Sequence, residues 1–209
     1  YNLYFGPYNK KIWNYDLKKI PLPWLEGKLP MPNLLDIVLS NIKKVEEQNM
    51  VHSKFYYPQN GGSSFIAERL AEGLSIVYNT NIKSIIRNVS QWIINDEKFD
   101  KVVYTGDVRR LQQIFNNVDG AIHEKVSKVS NLPSNGTSNV LCYTDKTDLS
   151  WLYIPESEFL CHRIIYTGNF SKNNNKEGKN TCTVEFSGKV SEETIKEQLK
   201  RLPGNLKPI

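Results

Sequence analysis

The chain has 209 residues, 39% of them hydrophobic, with a formal net charge of +5, which is enough to bury a core in one large domain or two small ones. No apolar run reaches the roughly 18 residues of a membrane span, and the start lacks the basic n-region and apolar h-region of a secretory signal; a soluble, cytoplasmic protein with no membrane insertion is expected. The positive charge does not point to nucleic acid, because the lysines fall in ones and twos (Lys10-Lys11, Lys18-Lys19, Lys43-Lys44) with glutamates interleaved, the pattern of a mixed-charge solvated surface.

Residues 1–50 read as a helical segment broken by proline. The run from Pro21 to Pro32 cannot hold a long helix, since each proline removes a donor and restricts its predecessor. Beyond it, Leu34, Leu35, Val38, Leu39 and Ile42 fit a helical face, with a strand plus extension as the alternative. Residues 51–118 read as strand, turn, helix and strands. Gly61-Gly62 permits a tight turn, Ser63 or Ser64 can cap, and Phe65, Ile66, Arg69 and Leu70 give a short helix one face. Strands are expected over 75–78, 82–87, 91–94 and 101–104, where apolar or β-branched runs are separated by Asn, Asp and Lys.

Residues 119–209 begin with a polar stretch, Gly120 to Ser138, that reads as loop. Strands of an antiparallel sheet follow over 140–144, 151–154, 163–167 and 181–186, and 172–180 reads as a mobile hairpin tip. A last helix starts at Ser191 as cap, carries Ile195, Leu199 and Leu202 on one side, and is stopped by Pro203-Gly204. The whole is a mixed α/β chain.

Chemistry-bearing residues are sparse. Cys142, Cys161 and Cys182 are odd in number and widely spaced, so they read as reduced, partly buried thiols, and neither they nor His52, His123 and His162 have metal-ligand spacing. His162 reads as a strand-end histidine. Arg163 stands in an apolar strand context beside Ile164, Ile165 and Tyr166. A buried, unpaired guanidinium is costly, so either a carboxylate such as Glu156 or Glu158 or a ligand must face it. By residue type alone, Trp13 and Trp151 are more often core residues than stacking platforms.

Five segments stand in a suggestive order: Tyr8-Asn-Lys-Lys-Ile-Trp13, Trp24-Leu-Glu-Gly-Lys-Leu-Pro-Met-Pro-Asn33, Tyr57-Pro-Gln-Asn-Gly-Gly62, Trp151-Leu-Tyr-Ile-Pro-Glu156 and His162-Arg-Ile-Ile-Tyr-Thr-Gly-Asn-Phe-Ser171. The chain resembles the UDP-galactopyranose mutases of the eukaryotic type and their bacterial relatives. The Gly61-Gly62 turn and the Asp100-Lys-Val-Val-Tyr-Thr-Gly106 segment are shared more widely, with amine oxidases and protoporphyrinogen oxidases. The resemblance implies a partial FAD-domain sheet plus an antiparallel substrate-binding sheet with flanking helices. It also implies an enzyme that uses FAD without net redox change: the reduced flavin attacks the anomeric carbon of a UDP-sugar, UDP leaves, and the sugar recloses in the furanose form, for surface polysaccharide such as lipopolysaccharide.

Carried over by position, the resemblance implies that Asn9 and Trp13 line the uridine part of the pocket, that Arg163 grips the diphosphate and Tyr153 donates to it, and that Gly61 and Gly62 let backbone approach the flavin. Lys28 stands where an arginine is usual and Phe170 where a tyrosine is usual, so one fork and one hydroxyl are lost. No residue is assigned a catalytic role and no metal is expected. No G-x-G-x-x-G fingerprint lies within the 209 residues. The expectation is therefore a fragment, inactive alone, with FAD bound only in the full-length protein and an exposed apolar patch able to form a homodimer. Two alternatives stay open: a flavin-dependent amine-oxidase-like or protoporphyrinogen-oxidase-like oxidoreductase, and a non-catalytic nucleotide-sugar binding module.

Overall fold

Period-two alternation in Thr181–Ser187 places Cys182, Val184 and Phe186 on one face and Thr183, Glu185 and Ser187 on the other, and the larger of two sheets is built around that segment. The computed structural model describes residues 1–21, 23, 33–44, 55–116 and 119–209. In chain order its helices and strands are α1 (Phe5–Trp13), α2 (Leu34–Lys43), α3 (Ser64–Ala71), β1 (Ile85–Asn88), β2 (Gln91–Ile94), β3 (Glu97–Phe99), α4 (Leu111–Ile114), β4 (Phe115–Asn116), α5 (Gly120–Ser130), β5 (Thr137–Tyr143), β6 (Trp151–Tyr153), β7 (Cys161–Ile165), β8 (Thr181–Ser187), α6 (Glu192–Leu199) and β9 (Lys207–Pro208). By internal contacts the chain divides into two units, Tyr1–Glu72 with Asn135–Ile209 and Gly73–Ser134, a line different from the boundaries at 50 and 118 drawn on the sequence.

The first unit holds an antiparallel sheet in the order β6-β7-β8-β5-β9. Its inner face is a dry core in which Cys142, Cys161, Ile164, Cys182, Val184 and Phe186 are fully buried, with Leu199 and Leu202 of the C-terminal region and Leu206 packed on them. Burial on this scale stabilises by roughly 1.5–3 kcal/mol for each large apolar side chain. The helix α6 forms as its sequence indicates: Ser191 Oγ accepts from the Thr194 amide at 3.3 Å, and Glu192 and Glu193 fall in the first turn, where the helix dipole favours them. Gln198 Oε1 accepts from the Leu160 amide at 2.9 Å and so ties α6 to the segment entering β7.

The second unit has a sheet in the order β3-β2-β1-β4, antiparallel except for the short parallel pair β1/β4. Ile85, Leu111, Ile114 and Val126 form its small core. Here the loop expected over Gly120 to Ser138 is corrected. Residues 120–130 are helical because Ile122, Val126 and Val129 recur at helical spacing and Asp119 Oδ1 accepts from the Ile122 amide at 2.9 Å. The strands expected over 75–78 and 101–104 do not form either. Val77, Tyr78 and Val103 are exposed, and among the described residues those segments have no ladder partner.

In the first unit, α2 settles the open choice over residues 34–43 in favour of a helix, capped by Asn33 Oδ1, which accepts from the Leu35 amide at 3.0 Å. Its apolar face and that of α3 are exposed throughout. The expected mobile tip over 172–180 is also corrected. Ser171 Oγ donates to the Gln59 carbonyl at 2.6 Å, Asn174 Nδ2 to the Thr167 carbonyl at 2.8 Å, and the Thr181 amide to Asn175 Oδ1 at 3.1 Å, so only Lys176–Lys179 remains as a hairpin tip. Of the proline-broken run, residues 22 and 24–32 lie outside the described residues, Lys28 among them, as does His52. Among the described residues no helix is long and apolar enough to cross a membrane, and no cluster of His, Cys, Asp or Glu is arranged to hold a metal ion.

Burial pushes the three thiols up, Cys142 to about 11 and Cys161 and Cys182 to about 12, from an ordinary value of 9.0. A raised value in the folded chain means that stability is complete below pH 9 and is lost as pH rises toward 12, because the unfolded chain ionises first. Chemical denaturation at stepped pH should show a plateau ending near pH 9, and a thiol reagent should find none of the three in the native chain. Stoichiometric labelling at neutral pH would contradict the buried placement.

Candidate ligand site

The outer face of the larger sheet carries the polar counterpart of the core. Tyr153 stands opposite Arg163, and Arg163 opposite Glu185, so one row of side chains crosses β6, β7 and β8. Trp151, two residues from Tyr153, lies on the same face with Ile165 opposite it. The register of β7 against β8 shifts between Cys161 and Arg163, a bulge in which His162 is the extra residue. The bulge brings His162 Nε2 within 3.3 Å of Glu185 Oε2, and Arg163 Nε donates to that same oxygen.

Arg163 is therefore paired, and the partner is Glu185 rather than Glu156 or Glu158. Glu158 bonds Arg201, and Glu156 lends its carbonyl to Lys11. Burial works against the Arg163 charge, but the carboxylate outweighs it and raises the guanidinium above its ordinary value. Only Nε is engaged. Among the described residues the two terminal nitrogens have no protein partner, and the side chain is 36% exposed.

The N-terminal helix is seated beside this row. Lys11 Nζ donates to the carbonyls of Ile154 (2.7 Å), Glu156 (2.7 Å) and Cys161 (3.1 Å), and Ser187 Oγ donates to the Lys11 carbonyl at 2.7 Å. The Tyr8 ring meets Tyr153 edge-on at 5.1 Å, and Tyr4 stacks on Tyr8 at 5.5 Å. Burial, reinforced by Tyr153, pushes the Tyr8 phenol far up, so it is a neutral hydroxyl at any working pH. Asn9 and Trp13 are brought together one turn apart: Asn9 Nδ2 donates to the Phe5 carbonyl at 2.9 Å, and Trp13 Nε1 donates to Asn9 Oδ1 at 3.4 Å.

Phe170 joins through the Trp151 end of the row. Its ring lies 5.1 Å from Trp151, 5.0 Å from Phe55 and 5.4 Å from Tyr57. The Gly61-Gly62 turn reaches the same neighbourhood because Gln59 accepts from Ser171 and Asn173, and Asn173 also bonds Asn60. Both glycines have left-handed φ, +78° and +59°, and a side chain at Gly62 would face the Tyr57 hydroxyl at 3.4 Å.

Of the residues predicted from sequence, Tyr153 and Arg163 share one row, Asn9 and Trp13 share one helix, and Phe170, Gly61 and Gly62 share the adjoining aromatic end. A cavity of 740 Å³ on another side of α1, lined by Gly6, Pro7, Lys11, Phe159 and Leu160 among others, contains none of them. Sequence reasoning missed Glu185, Tyr8 and Lys11. The available signal for Glu185 was a single carboxylate set in the apolar and β-branched run Cys182-Thr-Val-Glu-Phe186.

Across its full length the chain matches a crystal structure of reduced UDP-galactopyranose mutase, with a TM-score of 0.79 and 19% sequence identity, and it spans 50% of that chain. The fold is like that of a UDP-galactopyranose mutase. No protein-family model and no curated protein matches the sequence.

Gly168 offers a test of how the aromatic end is held. A Cβ there would lie 2.1 Å from Asn175 Oδ1 and 2.9 Å from the Thr181 amide, so the backbone on which Phe170 sits requires glycine. Gly168→Ala should lower unfolding stability by about 1–3 kcal/mol in urea titration; an unchanged midpoint would mean that Asn175 yields freely.

Proposed function

We propose that this chain forms the sugar-nucleotide side of a mutase-type flavoenzyme that interconverts pyranose and furanose forms of a UDP-sugar, as in surface polysaccharide synthesis in the cytoplasm. The observation that carries this reading is the half-used Arg163 fork. Glu185 holds Nε, the two terminal nitrogens have no protein partner among the described residues, and the exposed Tyr153 is its neighbour across the ladder. A guanidinium beside a phenol is the donor set that a diphosphate needs.

The remaining roles follow by proximity. Asn9 lies one residue beyond Tyr8 and Trp13 one turn beyond Asn9, so they serve the uridine end. Lys28 would add positive charge without a fork. Phe170, ringed by Phe55, Tyr57 and Trp151, supplies an apolar wall that excludes water from the sugar end. FAD, when bound, supplies the nucleophile and the leaving site for the sugar. The Gly61-Gly62 turn would bring backbone to the edge of such a group, in a left-handed conformation that glycine allows. In the exchange itself, Arg163 and Tyr153 hold the diphosphate as its charge rises on leaving and keep it placed for return.

The test is a titration of the chain with UDP, UMP and uridine, followed by tryptophan fluorescence. UDP should bind most tightly and more weakly as salt rises. Arg163→Lys, which keeps the charge and loses the fork, should weaken UDP about tenfold, and Tyr153→Phe should weaken it about threefold to tenfold. Equal affinity for UDP and uridine would refute a diphosphate grip. A flavin spectrum in the purified protein that does not respond to UDP would favour the oxidoreductase instead.

A further inference from the structure

The bulge in β7 turns a residue inward that the proposed function does not use. His162 is 5% exposed, its Nδ1 is the buried side-chain polar atom with no partner among the described residues, and its Nε2 lies 3.3 Å from the oxygen that Arg163 Nε also contacts. We infer that His162 is a positioning residue: as a neutral imidazole protonated on Nε2, it donates to Glu185 Oε2 and so fixes the carboxylate that aims the Arg163 fork at an anionic ligand. The ligand part of this inference rests on the sugar-nucleotide reading, whereas the His162–Glu185–Arg163 arrangement does not.

Geometry selects the tautomer. A proton on Nδ1 would be buried with no acceptor, whereas a proton on Nε2 meets Glu185. Geometry also shows why a second donor matters. Arg163 holds Glu185 by Nε alone, so the pair lacks the two-point contact that would fix the guanidinium plane, and His162 Nε2, 3.3 Å from the same Oε2, is placed to hold the carboxylate itself in position. The groups facing His162 are Glu185 from β8, Arg163 from its own strand and Lys11 from α1. Burial pushes the imidazole down from its ordinary value, Glu185 opposes this, and Arg163 and Lys11 assist it, consistent with a neutral ring.

Nitrogen-15 NMR of the labelled chain tests the arrangement without any ligand. From about pH 6 to pH 8 the His162 ring should show a protonated Nε2 and a bare Nδ1, and the Arg163 Nε–H signal should be protected from solvent exchange. In His162→Leu that protection should be lost and the UDP dissociation constant should rise about tenfold, whereas His162→Gln, whose amide can still donate to Glu185, should keep the signal and stay within about threefold. An imidazolium or an Nδ1-protonated ring in the unaltered chain would overturn the inference even if neither variant folds. So would a His162→Leu chain with the Arg163 signal and UDP affinity intact. If UDP binds neither the unaltered chain nor any variant, the sugar-nucleotide reading fails, and the NMR signature alone decides the role of His162.

Discussion

One carboxylate oxygen organises the polar face of this molecule. Arg163 Nε donates to Glu185 Oε2 and His162 Nε2 lies 3.3 Å from the same oxygen, at a site where the Glu185 side chain is only 16% exposed. A half-buried ion pair of this kind contributes little net stability, because desolvation offsets most of the attraction, but loss of one partner leaves the other charge stranded. Its value is in placement. The carboxylate stands where it does because β8 alternates, with Val184 and Phe186 locked into the core on either side of it. The packing energy of the inner face therefore fixes the orientation of a charge on the outer one.

The same logic holds α1 against the sheet by an unusual use of lysine. Lys11 gives its three donors to three backbone carbonyls, two of them in the turn after β6 and one at the start of β7. Burial lowers its pKa, with Cys161 and Glu156 opposing that shift. Carbonyl dipoles satisfy the ammonium in place of a carboxylate. As a result the helix carrying Tyr8, Asn9 and Trp13 is tied to the strand ends that carry Tyr153 and Arg163, and residues about 140 apart in sequence form one surface.

Much of this was legible in the chain itself. The strands of the larger sheet and the capped terminal helix stood out because apolar period, caps and stop residues agree with one another there. The helix over 120–130 was hidden because Ser, Lys and His fill its solvent side and only Ile122, Val126 and Val129 mark its face. Residues 75–78 and 101–104 have strand-like composition, yet a strand exists only where another lends it a ladder. The partner of Arg163 was unreadable for a different reason. Glu156 and Glu158 are near in sequence, whereas Glu185 becomes adjacent only through the register of β7 on β8, which the bulge at His162 shifts by one residue.

The pleat of β6 joins the two chemical halves of the site. Trp151 and Tyr153 are two residues apart, so they share a face; one ends in the aromatic group around Phe170 and the other in the Tyr8–Arg163 neighbourhood. That arrangement gives a physical reading of the phenylalanine at 170. Three rings, those of Phe55, Tyr57 and Trp151, lie within 5.0–5.4 Å of it. A phenyl ring meets these neighbours in tilted and edge-on contacts and brings no polar atom into the cluster. Phenylalanine thus suits the wall it completes, and hydrogen bonding to an anionic ligand falls to the far end of the same strand, where Tyr153 keeps its hydroxyl and Arg163 keeps two nitrogens in reserve.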